Sequence, residues 1–208
     1  MLEHGFTIGN ATIESPQSIN VAATILSQIS AAVSGSQYGG QTFSHVDHYL
    51  VPYVEKTHKK NVEFCNQHGL KEDVAKDMTE KAVFDAMQTF MYQINTLTST
   101  NGQTPFVTIS LGLDTSEFGR MITRNYLKVH KAGLGKDHVT PVFPKVLFFL
   151  DEGVNMNPGD PNYDLKRLAL ECCAERIYPD FVSVPLNRAV TGATEGNVTS
   201  MGKLLLLM

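Results

Sequence analysis

The segment from Asn157 to Phe181, NPGDPNYDLKRLALECCAERIYPDF, constrains the fold of this chain more than any other. Its beginning, PGDPN, predicts a turn, because two prolines and a glycine exclude regular helix and strand. Tyr163 to Tyr178 predicts a helix, with Asn162 as N-cap and Asp164 in the first turn, where the helix dipole favours a carboxylate. The apolar residues that recur at helical spacing are Leu165, Leu168, Ala169, Cys172, Cys173 and Ile177.

An apolar strand, Phe181–Val184, follows Pro179, so this part of the chain predicts the second half of a βαβ unit. Two earlier strands are predicted at Phe106–Leu111 and at Val146–Leu150, whose continuous apolar run is typical of a parallel strand covered on both faces. A helix over Glu117–Ala132 separates them. This alternation of strands and helices predicts a parallel sheet with right-handed crossovers. A sheet of only these strands would have two open edges, which favours part of a larger sheet or barrel.

The N-terminal half predicts a layer of helices. Ser15 as N-cap and Pro16 at the first helical position begin a helix that runs to Ser34. A glycine loop over Ser36–Thr42 ends it. The sequence then predicts two more helices: Phe43 to about His68, interrupted at Pro52, and about Lys71 to Thr98.

Composition narrows the class of protein. With 208 residues, 42% hydrophobic and 18% charged, the chain is long and apolar enough to bury a core. A net charge of −4 gives no electrostatic reason to expect nucleic-acid binding. Three cysteines form no disulfide framework, which favours a reducing compartment. With neither an apolar N-terminal signal region nor an apolar run of about 18 residues, the sequence predicts a soluble, cytoplasmic protein without membrane contact.

The common catalytic motifs are absent: the dinucleotide and Walker glycine loops, HExxH, CxxC and GxSxG do not occur. Two interpretations apply to His45, Asp47 and His48, a metal site or a polar helix end. Their spacing at the start of a helix does not direct three side chains towards one metal ion. Cys172 and Cys173 are interpreted as small buried helix residues. From these residues alone the chain is an α/β fragment without an assigned function.

Three segments carry a family resemblance: NPGDPNYDLKRLALECCAERIYPDF, NATIESPQSINVAATILSQISAAVSGSQYGG and NGQTPFVTISLGLDTSEFGR. Together they resemble the anaerobic (class III) ribonucleoside-triphosphate reductases, from about residue 1 to Gly202. The resemblance implies an α/β fold with an N-terminal helical layer and part of the ten-stranded α/β barrel of glycyl radical enzymes and ribonucleotide reductases. It also implies a division into a helical dimerisation and effector-binding region (1–100), first-half barrel βαβ units (101–202) and a tail foreign to the family (203–208).

The implied chemistry is the reduction of ribonucleoside triphosphates to deoxyribonucleoside triphosphates by a thiyl radical. In the family a glycyl radical, made by an S-adenosylmethionine iron–sulfur activase, generates the thiyl radical, and a four-cysteine zinc site lies near the C-terminus. This sequence has Met201-Gly202 where the family has Met-Gly-Cys-Arg, but Lys203 occupies the thiyl cysteine position. Lysine has no S–H group, so the chain, read as an internal piece without its own cofactor, is expected to be inactive alone. A non-catalytic nucleotide-binding or dimerisation remnant remains the alternative.

The resemblance also suggests contact residues and partners. Effector contacts are predicted at Glu14, Gln28 and Lys60, where lysine suits phosphate and the other two suit base or sugar. The substrate pocket is predicted to include Ser110, Asn197, Met201 and Gly202. The implied partners are nucleoside triphosphates as substrate and effector, the activase, and a second copy of the chain in a homodimer.

Overall fold

The computed structural model describes residues 2–36, 39–98, 102 and 104–191, and the backbone of 204–206. Its helices are α1 (Ile19–Ser36), α2 (Val46–Tyr49), α3 (Val51–Gln67), α4 (Glu72–Thr96), α5 (Glu117–Ala132), α6 (Tyr163–Arg176) and α7 (Val184–Thr191). Its strands are β1 (Phe6–Ile8), β2 (Ala11–Ile13), β3 (Gln41–Phe43), β4 (Val107–Leu111), β5 (Lys145–Leu150), β6 (Asp180–Ser183) and β7 (Leu204–Leu206).

A five-stranded parallel sheet organises the fold, in the order β6-β5-β4-β3-β7. The β4-α5-β5-α6-β6 succession confirms the predicted parallel βαβ units. Residues of β5 alternate between two apolar clusters, Val146 and Phe148 in one and Leu147 and Phe149 in the other. Both faces of β5 are therefore covered, as its uninterrupted apolar sequence predicts. Before the sheet, β1 and β2 form a small antiparallel hairpin.

The helical layer packs on the sheet face that carries Val107, Ile109 and Leu111. α4 lies at its centre, in contact with α1, α3 and α5. Phe90 of α4 meets Phe43 of β3 edge to face, with ring centroids 6.4 Å apart. Within the described residues, α1 is the one helix whose length and apolar composition would also suit a membrane span, a test that core helices of globular proteins pass as well. Its buried residues here belong to the main core.

Several predicted boundaries in the N-terminal half are wrong. α1 begins at Ile19, three residues later than expected. The hydroxyl that accepts a hydrogen bond from the first turn belongs to Ser18 instead of Ser15, and it lies 3.4 Å from Val21 N. Gln41 and Thr42 belong to β3 instead of a loop, and Phe43 ends that strand instead of beginning a helix. Pro52 stands in the first turn of α3, where its missing N–H costs nothing, so it starts that helix and does not interrupt one.

β3 was not predicted because three residues, two of them polar, carry almost no local strand signal. Tertiary contacts form it. Gln41 N donates to Phe106 O at 2.9 Å, and the Gln41 side-chain amide donates to Ser30 O at 2.8 Å. Since β3 pairs with β4, the N-terminal and C-terminal halves share one sheet. The functional division near residue 100 stays a prediction.

The turn at the start of the Asn157–Phe181 segment is fixed from two sides. Asp160 Oδ2 accepts a hydrogen bond from Asn157 N at 2.7 Å, which stabilises the turn. From α5, the Arg120 guanidinium donates to Pro161 O, to Asn162 Oδ1 at 2.7 Å and to both Asp164 carboxylate oxygens at 2.9 Å. Burial would raise the pKa of Asp164, but its bonds to the arginines outweigh that effect and lower it. Arg120 thus ties this turn to α5.

Arg120→Lys is expected to lower the free energy of unfolding by about 1–2 kcal/mol, because an ammonium cannot reproduce the planar fork of donors. Denaturant unfolding followed by circular dichroism measures the loss. Arg124→Lys is the matched control, since Arg124 makes one contact to Asp164 at 3.3 Å and is more exposed. Its expected loss is below about 0.5 kcal/mol. Equal losses in the two variants would contradict the assigned role of Arg120.

Candidate functional site

A cleft of about 430 Å³ opens at the carboxyl edge of the parallel sheet. In open parallel α/β sheets this edge is where ligands bind, since the loops that follow the strands meet there. The segment after β3 and the segment after β4 form its walls. The lining residues are His45, Asp47, His48, Leu113, Asp114, Thr115 and Ser116.

Asp47 is the buried anchor of the cleft, with no solvent exposure. Its Oδ2 accepts from Gly112 N at 2.7 Å, Asp114 N at 3.2 Å and Thr123 Oγ1 at 3.3 Å. Burial raises the pKa of Asp47 to about 6, although these hydrogen bonds act in the opposite direction. Oδ1 has no hydrogen-bond partner in the described part of the chain. The carboxylate therefore joins α2 to the β4–α5 connection and keeps one acceptor unused.

Asp114 links His48 to Ser116 across the floor of the cleft. Its Oδ2 lies 2.7 Å from His48 Nδ1, and its Oδ1 accepts from Ser116 N at 2.8 Å and Ser116 Oγ at 2.5 Å. Burial would raise the pKa of Asp114, but the bonds from Ser116 and His48 outweigh it and lower the pKa. The carboxylate is thus held ionised, while the His48 side chain is 67% exposed at the mouth.

Two glycines allow the backbone and side chains to approach this closely. Gly112 has φ 113°, and a Cβ there would lie 3.1 Å from the Phe148 ring and from Phe149 O. Gly119 sits in the first turn of α5, where a Cβ would lie 2.2 Å from Asp114 Oδ1. Ser116, the N-cap of α5, accepts a bond from Gly119 N at 3.1 Å. The start of α5 and the Asp114 side chain therefore share one tightly packed space.

Two asparagines support the cleft from behind. Asn155 Nδ2 and Asn162 Nδ2 both donate to Gly112 O, at 2.9 and 3.1 Å, and Asn162 also donates to Asp114 O at 2.9 Å. Asn162 does stand at the N-cap position of α6, but its side chain makes no cap hydrogen bond. Its predicted capping role is wrong, because the amide is used between loops instead.

A second, more apolar cleft of about 490 Å³ adjoins the first and shares His48, Asp114 and Ser116 with it. Tyr49, Val51, Pro52 and Tyr53 line its apolar side, and Leu2, Glu3, Ser15, Glu55 and Lys56 complete it. The two clefts together form a polar end at the sheet and an aromatic end beside α3. This arrangement can accept a ligand that has a hydrogen-bonding part and a flat apolar part.

Of the predicted substrate-pocket residues, the structure describes Ser110. It is fully buried on β4, and its Oγ accepts from His45 N at 2.8 Å, so it supports the segment that lines the cleft. A direct substrate contact by Ser110 stays a prediction. Asn197, Met201 and Gly202 lie outside the described residues, as does Lys203.

The predicted effector residues Glu14, Gln28 and Lys60 are all exposed. Lys60 Nζ donates to Gln17 O at 2.9 Å, so α3 holds the segment that follows Glu14. Gln28 lies on α1 nine residues beyond Ile19, about 14 Å further along the helix axis. The structure thus brings Lys60 close to the segment of Glu14 and leaves Gln28 further along the layer.

The cleft residues His45, Asp47 and His48 were not predicted as a site. Within the described residues, no group of three or more histidine, cysteine or acidic side chains is arranged to hold a metal ion. The sequence signal for this site is the position of these polar residues directly after a strand. It could not be recognised because β3 was not predicted. Cys65 and Cys172 are buried and Cys173 partly buried, on α3 and α6.

Comparison with known proteins gives one consistent result. The sequence model of the family described as anaerobic ribonucleoside-triphosphate reductase matches residues 1–207. Curated proteins of that name are 50% identical in Enterobacteria phage T4, 46% in Haemophilus influenzae and 43% in Escherichia coli, each over 93% of this chain. The matched part is 32%, 28% and 27% of those relatives, so the chain spans about a third of their length or less.

Solved structures agree on the fold. The anaerobic ribonucleotide reductase from Thermotoga maritima with citrate in the active site superposes with a TM-score of 0.64 at 13% identity, over 95% of this chain and 37% of that one. The same enzyme in complex with dATP and CTP gives 0.58 at 12% identity, over 88% and 31%. At such identities the likeness establishes the α/β fold.

Gly119→Ala is expected to displace the Asp114 side chain and lower the free energy of unfolding by about 1–3 kcal/mol, because the new methyl group overlaps Asp114. Denaturant unfolding measures the loss of unfolding free energy. The NMR signals of the His48 ring nitrogens report its hydrogen bond to Asp114. Gly35→Ala, the same change on the exposed end of α1, is the control and should not destabilise. An unchanged His48 signal in Gly119→Ala would contradict the packing argument.

Asp47→Asn is expected to change how stability depends on pH. Because the folded pKa of Asp47 is raised from 3.8 to about 6, its stabilising contribution is present below pH 3.8 and is lost as pH rises through about 6. Relative to the unchanged protein, the variant should gain about 2.4 kcal/mol between pH 4 and pH 7. Unfolding at several pH values measures this. Asp137→Asn, in an exposed loop, is the control; equal curves for both variants would refute the prediction.

Proposed function

Because this chain belongs to the anaerobic ribonucleoside-triphosphate reductase family, we propose that it forms part of an enzyme that reduces ribonucleoside triphosphates to deoxyribonucleoside triphosphates. The observation that carries the proposal is 43–50% identity over 93% of the chain to relatives of that name. The same observation favours a reductase over a non-catalytic module, since each of these relatives is named as the enzyme.

The proposed architecture is part of a ten-stranded α/β barrel. Two features support it. Every pairing in the sheet is parallel, and the helical layer covers one face. On the opposite face Leu147 and Phe149 pack with Val184 in a separate apolar cluster. A sheet that is apolar on both faces is what closure into a barrel requires, because the inner face then packs in the barrel interior.

Within this architecture the cleft beside His48 and Asp114 is the part of the substrate site that this chain contributes. Radical chemistry in the family requires a thiol that a glycyl radical can oxidise, and Lys203 has no such group. Cys65 and Cys172 do not replace it, because both are buried in helices and neither lines the cleft. The role of the described residues is therefore to bind and orient the nucleotide. The chain alone is expected to have no reductase activity.

The helical layer is the proposed site of dimerisation and of effector binding. Lys60 carries a positive charge beside the segment that follows Glu14, a suitable place for a phosphate. One Thermotoga maritima structure is described with dATP bound in the specificity site, at a TM-score of 0.56 and 10% identity over 88% of this chain. That nucleotide belongs to the other protein, but it makes dATP the natural probe here.

Replacing the matched segment of the phage T4 reductase with this chain tests the function directly. The chimera, activated under anaerobic conditions, is expected to reduce CTP to dCTP, provided that the T4 cysteine is retained at the position of Lys203. The matched control is the same chimera with Asp114→Ala, which should lose at least about tenfold in kcat/KM, since the orientation of His48 is lost. A folded, nucleotide-binding chimera without activity would contradict the proposal.

Calorimetry on the chain alone tests the effector site. Lys60→Ala is expected to weaken dATP binding about tenfold, because a charge-assisted contact to phosphate is removed. Lys59→Ala, the exposed neighbour on α3, is the control and should bind as the unchanged chain does. Absence of heat at millimolar dATP would contradict the effector-site proposal.

A further inference from the structure

Asp114 determines the tautomer of the His48 ring when that ring is neutral. Both oxygens of Asp114 act as acceptors: Oδ1 is occupied by Ser116 N and Oγ, and Oδ2 faces His48 Nδ1 at 2.7 Å. The hydrogen of the neutral ring therefore belongs on Nδ1, which donates to Asp114. Nε2 is then an acceptor, and Nδ1 makes the only hydrogen bond found for this ring among the described residues.

The cleft offers a ligand an acceptor at its mouth, His48 Nε2. Asp47 Oδ1, which has no hydrogen-bond partner in the described part of the chain, is buried behind it. Two carboxylates, Asp47 and Asp114, lie in the same cleft and repel anions. This polar end consequently suits a neutral group with O–H donors and excludes a triphosphate.

The shape of the site agrees with such a ligand. His48 is at the mouth, 67% exposed on its side chain, and its ring meets the Tyr49 ring edge to face at 5.3 Å. The adjoining apolar cleft with Tyr49 and Tyr53 begins at the same histidine. A molecule that carries hydroxyl groups next to a flat ring, as a nucleoside does, would fill both parts.

We propose that His48, oriented by Asp114, contacts the bound nucleotide directly and that its Nε2 accepts a hydrogen bond from a ribose hydroxyl. The inference rests on the proposed function, since a ribonucleotide is the ligand considered. Asp47 holds the backbone of Gly112 and Asp114 in place, and Gly119 leaves room for the Asp114 carboxylate. Direct ligand contact is assigned to His48 alone.

A thermodynamic cycle between ligand and protein tests the proposal on the full chain. CTP and 2′,3′-dideoxy-CTP are titrated into the unchanged chain and into His48→Phe, which keeps a ring but removes the nitrogens. Affinity is measured from the NMR signals of the Gly112 and Asp114 amides, so that only binding in the cleft is detected. The unchanged chain is expected to bind CTP about tenfold more tightly than the dideoxy compound, as one hydrogen bond warrants. In His48→Phe the two ligands should bind equally.

His68→Phe is the matched control. His68 is also exposed, and its Nδ1 lies 2.9 Å from Phe64 O, so its ring has the same tautomer outside the cleft. This variant should keep the full preference for CTP. Equal binding of both ligands by the unchanged chain, or an undiminished preference in His48→Phe, overturns the role of His48 but leaves the reductase proposal standing. If neither nucleotide shifts the Gly112 and Asp114 signals at millimolar concentration, the cleft as nucleotide site fails too.

Discussion

The hydrogen bonds from the amides of Gly112 and Asp114 to the buried carboxylate of Asp47 are the interaction on which the candidate site depends. Asp47 lies in α2, directly after β3, whereas the two amides follow β4. One side chain thus sets the distance between the two loops that form the cleft. The position of Asp114, and through it the orientation of His48, follows from this contact.

The same interaction has an energetic cost that the rest of the fold must offset. A fully buried carboxylate is destabilised when ionised, which raises the pKa of Asp47 to about 6, and its Oδ1 adds an unused acceptor. Buried groups with shifted pKa values are more common at functional sites than elsewhere. The large apolar core beneath, where Phe43, Phe90 and Ile109 meet, can tolerate such a local loss. The properties of Asp47 are therefore compatible with the nucleotide binding proposed for this cleft.

Elements with strong local patterns could be predicted from the sequence, and those formed by distant contacts could not. β4, β5, α5 and α6 follow from apolar runs and helical spacing, and the structure confirms them. β3 has only three residues, and its Thr42 pairs with Thr108, which is distant in sequence. No local sequence pattern therefore predicts this strand. His45, Asp47 and His48 could be recognised as a sheet-edge site only with β3 in place. Asn162 shows the same limit: its position at a helix start was predictable, whereas its bonds to Gly112 and Asp114 were not.

The segment from Asn157 to Phe181 has a second role beyond that of a crossover. Its first turn carries Asn162, which holds the carbonyls of Gly112 and Asp114, while Arg120 fastens that turn to α5. Since α5 also begins at the cleft, the segment, the helix and the cleft form one connected unit. The part of the sequence that resembles the reductases most distinctly therefore lies behind the site. It fixes the geometry of the loop that lines the cleft.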